Sequence, residues 1–505
     1  MKKWVALSSA VIMAVGVVSG CGLDKPASTD VTKAASKVDD TPLQLSMALQ
    51  QVGEIPSKGN EFEQALEKYT NTKLDIQWIP NAAYDEKINV MIASSELPKL
   101  ARLNYVPTTI NAMQSGLFWE IGPMLKDYKN LAGLDKQYFE NVSVEGKIYG
   151  VPVLRPIGRA AIVYRKDWFD KLGLKIPKTL DDWYNVMKAI ATEDPDGNNK
   201  ADTYGTQLYK RYNEGTQPPL TRIAVTQGAP NRWAAENGKF TPEFMTKPYV
   251  DTMKLFRKLY EEKLINQDFA VYDVTEHDKA IDSERVAMKL GGVATNGRSF
   301  QDRMAKVNPK GVFDMAFFEG PNGIKQAGEP GNFGVIVIPK SSVKTEAELK
   351  RVLKFLDQLL DSKMATLQRR GIEGTHYKVS ADGKNTEITD LNLFNKEIKP
   401  YRDNLISLET LNVLPQIDSP IGVKGNQMEG DGTQYSVPNP ALTLNSAIYS
   451  ERGKELDQMI WDAQTKYIMG RLDDAGWQAE VEKWRKAGGD QLIKEYEQAY
   501  TKIKK

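Results

Sequence analysis

Cysteine occurs once in the 505 residues, at position 21, and histidine only twice, at 277 and 376. A lone thiol excludes an intramolecular disulfide, a cysteine-based zinc site and CxxC redox chemistry. Neither histidine has a metal-ligand partner at useful spacing, and G-x-S-x-G, H-E-x-x-H and a phosphate-binding loop are all missing. Catalysis by histidine or cysteine is thereby set aside. Net charge is scarce too. With Lys2 and Lys3 removed, 65 basic residues stand against 66 acidic ones, which gives no electrostatic reason to expect nucleic acid as a partner. Beyond residue 18 no apolar run is long enough to span a bilayer, and no internal repeat is visible.

What is present begins at the N-terminus. Lys2 and Lys3 precede an apolar run from Val5 to Val18, interrupted only by Ser8, Ser9 and Gly16. That run is shorter than the roughly 20 residues a spanning helix needs, so residues 1–20 read as a processed export signal. Val18-Ser19-Gly20-Cys21 resembles the lipobox of bacterial lipoproteins, in which the cysteine takes lipid and becomes the new N-terminus. Cys21 is therefore the expected lipidation site, diacylglycerol plus a fatty acyl chain such as palmitate. Two or more chains hold a protein stably where one does not. Residues 21–40, rich in Ala, Ser, Thr, Lys and Asp, read as a flexible tether.

The remaining residues, about 465, exceed what one core usually supports, so two lobes are expected. Leu43, Leu45, Met47 and Leu49 alternate with polar neighbours; Phe62, Ala65, Leu66 and Tyr69 recur at helical spacing; Leu74, Ile76 and Trp78 alternate again. This is a β-α-β opening. Thr179 to Asp182 resembles a capping box, and Leu349 to Gln368 carries a long apolar stripe ending near Gly371. Tyr149 to Val153 and Phe333 to Ile338 read as short strands. The pattern predicts α/β lobes with mainly parallel sheets.

Gly146-Lys-Ile-Tyr-Gly-Val-Pro152, Tyr164-Arg-Lys-Asp-Trp168, Ser283 to Met288, Asn332 to Pro339 and Gly371-Ile-Glu-Gly-Thr-His-Tyr377 follow one another in the order found in extracellular solute-binding proteins of sugar ABC importers. The chain resembles the longer Gram-positive lipoproteins of that family, which serve oligosaccharide uptake, some of them for uronate-containing sugars. The resemblance implies a two-lobe periplasmic-binding-protein-like α/β fold with a hinge and an interlobe ligand cleft. The first lobe would take 41–152 and 336–400, the second 153–335 and 401–505. It also implies capture by hinge closure, delivery to the permease subunits of an ABC transporter, a monomer, and a location at the outer face of the cell membrane.

Asp194, Asp196, Asn198 and Asp202 stand at positions 1, 3, 5 and 9 of a loop that offers the backbone carbonyl of Lys200 at position 7, the way an EF-hand wraps Ca²⁺. Gly205 replaces the usual bidentate glutamate at position 12. A structural Ca²⁺ is the expectation, with a plain Asp/Asn/Gly turn as the alternative. For sugar binding, aromatic faces and planar polar groups are needed, with arginine added for a uronate. The segments expected at the cleft supply Gln50, Gln51, Arg155, Arg159, Thr295, Asn296, Arg298, Glu373 and His376. Trp119 and Trp233 are the expected stacking residues. Two other functions stay open: a carbohydrate-active enzyme working through paired carboxylates, and a peptide-binding protein of the same fold.

Overall fold

Apolar alternation makes Leu43–Gln51 (β1) a strand whose Leu43, Leu45, Met47 and Leu49 enter one hydrophobic cluster while Ala48 enters another. Both faces of its sheet are thus covered, as a sheet built from crossover connections requires. The helix Glu61–Thr70 supplies the first crossover. Asn60 starts it by accepting from the Glu63 amide (2.9 Å), Glu63 reaches back to the Gly59 amide (2.6 Å), and Asn71 ends it in the left-handed conformation. The chain then returns as Thr72–Pro80 (β2), parallel to β1. The computed structural model describes residues 41–51, 53–215 and 218–503. The export signal, Cys21 and the tether lie outside the described residues.

The first sheet is completed by Leu100–Leu103 (β3), Gly150–Leu154 (β4) and, much later in the chain, a strand at Asn332–Val337; the order is β2, β1, β3, the late strand, β4. The late strand runs antiparallel to both neighbours. It returns from the second lobe along the path by which β4 leaves, which dictates opposite directions. The second lobe's small sheet has Ile162–Arg165 (β5) between Met288–Lys289 (β6) and Phe313–Ala316 (β7), all antiparallel. The expectation of mainly parallel sheets is corrected on this point. Around it pack the helices Leu180–Thr192, Pro219–Thr226, Lys247–Glu261, Ala447–Ile468 and Asp474–Trp484 in one large cluster. Thr179 and Asp182 do form a capping box. The stripe from Leu349 to Gln368 is broken into two helices, Glu346–Gln358 and Ser362–Arg370, and between them Asp361, in extended conformation, accepts from Asn130 (2.9 Å) and Tyr69 (2.9 Å). The strand Asn332–Val337 is β8 hereafter.

Side chains as far along as Leu405, Ile406 and Leu408 belong to the first lobe's core. Tyr401 stacks on Phe62 at 4.2 Å and donates to Glu63 (2.8 Å), and the Asn404 amide brackets the backbone of Gln50 at 2.9 and 2.8 Å. The lobe therefore continues past residue 400, and a third passage between lobes follows Ile417.

The passages are tied to the second lobe. Arg159, after β4, meets Glu329, before β8, at 2.8 Å, and Arg222 approaches the same carboxylate at 3.4 Å. Arg222 also donates to the carbonyls of Leu290 and Gly292. Burial holds its guanidinium down to about 10, and burial raises Glu329 against the pull of the two arginines. Beside them Gly158 touches Gly432 backbone to backbone: a Cβ on Gly158 would lie 2.0 Å from the Gly432 carbonyl carbon. Among the described residues no helix is long and apolar enough to cross a membrane.

Candidate binding cleft

Between the lobes lies a cleft of about 810 Å³, lined from the first lobe by Arg102, Tyr105, Asn141 and Phe333 among others and from the second by Asn213, Arg232, Trp233 and Glu243 and by residues that include Asn439, Tyr449, Trp461 and Tyr496. A bulge shapes the first wall. The register of β8 against β4 shifts between Asn332 and Val335, where Gly334 sits at φ 121° with no room for a Cβ against the Leu103 carbonyl. A bulge re-aims the side chain it carries. Phe333 accordingly stands half exposed in the cleft, with the Arg155 guanidinium 4.5 Å from its ring centre.

Arg102 is the chemically unusual member of this wall. It lies on β3, otherwise Leu-Ala-Leu, and is buried. Its guanidinium donates to the Gln50 side-chain oxygen and to the Phe333 carbonyl; its Nε has no partner, and it forms no ion pair among the described residues. Burial lowers its proton affinity. A buried cation satisfied by neutral oxygens retains its attraction for an anion.

The second wall is aromatic and amide-rich. Trp233 opens the hairpin Trp233–Glu236/Lys239–Pro242 and is held edge-on by Tyr496 at 5.1 Å. Helix Ala447–Ile468 presents Tyr449, Asp457 and Trp461, the Tyr449 hydroxyl donating to Asp457 at 2.9 Å. Arg232, in the left-handed conformation at φ 64°, pairs with Glu243 at 3.1 Å and donates to the carbonyls of Asn213 and Gly215. Glu243 is fully engaged: it accepts from Thr221 and from the side chain and backbone of Arg232. Burial raises its pKa. Asparagines 104, 141, 213, 332, 439 and 445 line the cleft, and the side-chain oxygen of Asn213 is buried without a donor. Flat rings and fixed amides are what a polyhydroxylated ring with apolar C–H faces requires.

Of the residues singled out from the sequence, Trp233 lines the cleft, while Gln50 and Arg155 support Arg102 and Phe333, which do. Gln51 donates to the Gly53 carbonyl at 3.1 Å. Trp119 packs on the first core and donates to the Val343 carbonyl at 2.9 Å. Arg159 is part of the buried ion-pair group at the passages. Thr295 donates to Glu429 (3.0 Å), Asn296 accepts from the Val293 amide (3.0 Å), and Arg298 pairs with Asp418 (2.7 Å), all away from the cleft lining. Glu373 is exposed, and His376 is buried with Nδ1 accepting from the Ile372 amide at 3.2 Å and Nε2 3.3 Å from Glu397. Arg102, Arg232, Phe333, Tyr449 and Trp461 were missed. For Arg102 a signal existed: a charged residue inside a short apolar strand needs a reason to be there.

The loop 194–202 gathers oxygen ligands. Asp194 accepts from the amides of Asn198 and Asn199 at 3.0 Å each, and the side-chain NH₂ of Asn198 bridges Asp196 (2.8 Å) and Asp202 (3.0 Å). Desolvation and the adjoining Asp194 carboxylate raise the pKa of Asp196. Carboxylates converging on the positive end of an amide dipole suit a cation chemically. Among the described residues no three His, Cys, Asp or Glu side chains are grouped closely enough to hold a metal unaided. The fit therefore requires the Asn198 oxygen and the Lys200 carbonyl in addition.

The family model for bacterial extracellular solute-binding proteins matches residues 53–366. Over 513 residues the chain is 36% identical to Lipoprotein LipO of Bacillus subtilis, covering 100% of this chain and 99% of that protein. It is 35% identical over 515 residues to the polygalacturonan/rhamnogalacturonan-binding protein YtcQ of Bacillus subtilis, covering 99% of each. In fold it is similar to an extracellular solute-binding protein from Bifidobacterium longum subsp. infantis, with a TM-score of 0.70 at 17% identity over 93% of this chain and 100% of that one.

Proposed function

Because the chain belongs to the bacterial extracellular solute-binding proteins, we propose that it captures an oligosaccharide bearing uronate units between its lobes and presents it to the permease of an ABC importer. The observation that carries the reading is Arg102, a buried guanidinium that forms no ion pair among the described residues, in a cleft of aromatic rings and asparagine amides. The YtcQ relative, named for binding polygalacturonan and rhamnogalacturonan, supports the acidic class. Closure follows from geometry: a ligand touching Phe333 and Trp233 at once gains contacts only when the lobes approach, which shifts the population toward the closed form. Catalysis by paired carboxylates is disfavoured by Glu243, whose oxygens are already occupied. Nothing in the cleft favours the peptide reading over the sugar one. We further propose attachment to the outer face of the cell membrane through lipid on Cys21, in keeping with the name of the LipO relative.

Titration calorimetry with tri-galacturonate and with an uncharged trisaccharide tests the class. The acid should bind at least about tenfold more tightly, and Arg102→Met should lose that preference, since a charge-assisted bidentate contact contributes roughly 1.5–3 kcal/mol. Equal binding of both sugars would refute it.

Ca²⁺ in the 194–202 loop, held by Asp194, Asp196, Asn198, Asp202 and the Lys200 carbonyl, would tie the loop to the end of helix Leu180–Thr192. Its role would be structural. Chelation should lower the melting temperature of the wild type and leave Asp196→Ala unchanged; a melting temperature indifferent to chelator in both would remove the ion.

A further inference from the structure

The cleft does not end at Asn445 and Ser450. Both also line a second chamber of about 650 Å³, whose first-lobe wall is Asn111, Gln114, Val144 and Glu145. Its opposite wall is formed by the start of helix Ala447–Ile468 and the last turns of helix Asp490–Ile503. Gln114 stands at the seam: it donates to Glu145 at 3.3 Å and its oxygen faces the Asn445 amide of the other lobe at 3.5 Å.

The two compartments differ in chemistry. The main cleft holds the rings of Trp233, Phe333, Tyr449 and Trp461 together with Arg102 and Arg232, and its carboxylates Glu243 and Asp457 are engaged by Arg232 and Tyr449. Among the described residues the second chamber is lined by no aromatic ring and no arginine, and the charges that line it are Glu145, Glu451 and Glu495 against Lys502. Glu495 is occupied by the Ser446 hydroxyl at 2.6 Å and the Ile448 amide at 3.1 Å. A sugar carboxylate entering here meets like charge, whereas hydroxyls meet amide and carboxylate oxygens that accept their hydrogen bonds.

We propose that this chamber is a second subsite that takes the uncharged end of the bound chain. The oligosaccharide then lies in one direction only, with carboxylate-bearing units at Arg102 and neutral units beside Glu145 and Glu451. The assignment rests on the reading of the main cleft as an oligosaccharide site.

The test uses the full chain and titration calorimetry with galacturonate oligomers of three and eight units, the longer one in free-acid and in partly methyl-esterified form. Esterification removes charge and keeps the sugar. The free-acid octamer should bind within about threefold of the trimer, and the partly esterified octamer about tenfold or more tightly than either. Asn111→Ala with Gln114→Ala, both exposed side chains, should abolish that gain and leave trimer affinity unchanged. Glu145→Gln with Glu451→Gln should let the free-acid octamer gain affinity in turn. An octamer advantage that ignores esterification, or that survives all four substitutions, overturns the proposal while leaving the main cleft's reading intact. Failure of every oligomer, the trimer included, overturns both.

Discussion

His277 shows how a single buried side chain sets a pH response. It lies within the second lobe with its ring edge against Tyr209 at 6.0 Å, and burial holds its pKa below the ordinary 6.5. The folded state therefore binds this proton less readily than the unfolded one. Its contribution is full above pH 6.5 and is lost as pH falls below 6.5, by at most about 1.4 kcal/mol per pH unit until the folded-state pKa is reached. Chemical denaturation between pH 7.5 and 5 should show this decline, and His277→Gln should flatten it. An unchanged slope in the variant would assign the decline elsewhere. Individual residues were the least legible part of the sequence. Trp119 and Trp233 look alike along the chain, yet one packs on the first core with its N–H satisfied by Val343 and the other faces the cleft. Arg298 and His376 fell in plausible segments but turn to Asp418 and Glu397. What decides such cases is the partner, and the partners lie more than a hundred residues away for Arg298 and close by for His376.

Elements were more legible, because their signals are local. The alternation in β1, the Thr179–Asp182 capping box and the β-α-β opening are all present as the sequence implies. Direction within a sheet is not local, which is why β8 and the β5–β7 sheet departed from expectation. The same holds for close approach. Nothing in the neighbourhood of Gly158 announces that it meets Gly432, and no side chain fits there: a Cβ on either glycine would fall within about 2 Å of the other's backbone. Gly158→Ala should therefore force the passages apart and lower the melting temperature by several degrees, corresponding to about 2 kcal/mol or more. Gly430→Ala, inside the helix Pro420–Asp431 where a Cβ would meet only the Thr410 side chain at 3.5 Å, should cost less than half as much. Equal effects would mean that the contact is not held in solution.

At the scale of the whole molecule, the two-lobe plan was legible from length and from the order of the segments, while the extension of the first lobe through Leu408 was not. Interleaving has a mechanical result. Each lobe's core contains chain from both sides of the other, and Glu329 joins Arg159 and Arg222 across the passages. Unfolding one lobe thus removes support from the other. Urea titrations followed by tryptophan fluorescence and by far-UV circular dichroism should give coincident single transitions; two resolved steps would show that the lobes unfold independently. The position of β8 has one more consequence, for the order in which the molecule is made. It lies inside the first sheet, between β3 and β4. Residues 43–154 cannot close that sheet until Asn332–Val337 has been synthesised, roughly 15–70 s after the start at about 5–20 residues per second. During that interval the N-terminal third has strands without a finished sheet, and a chain in that condition can still be threaded through a narrow channel.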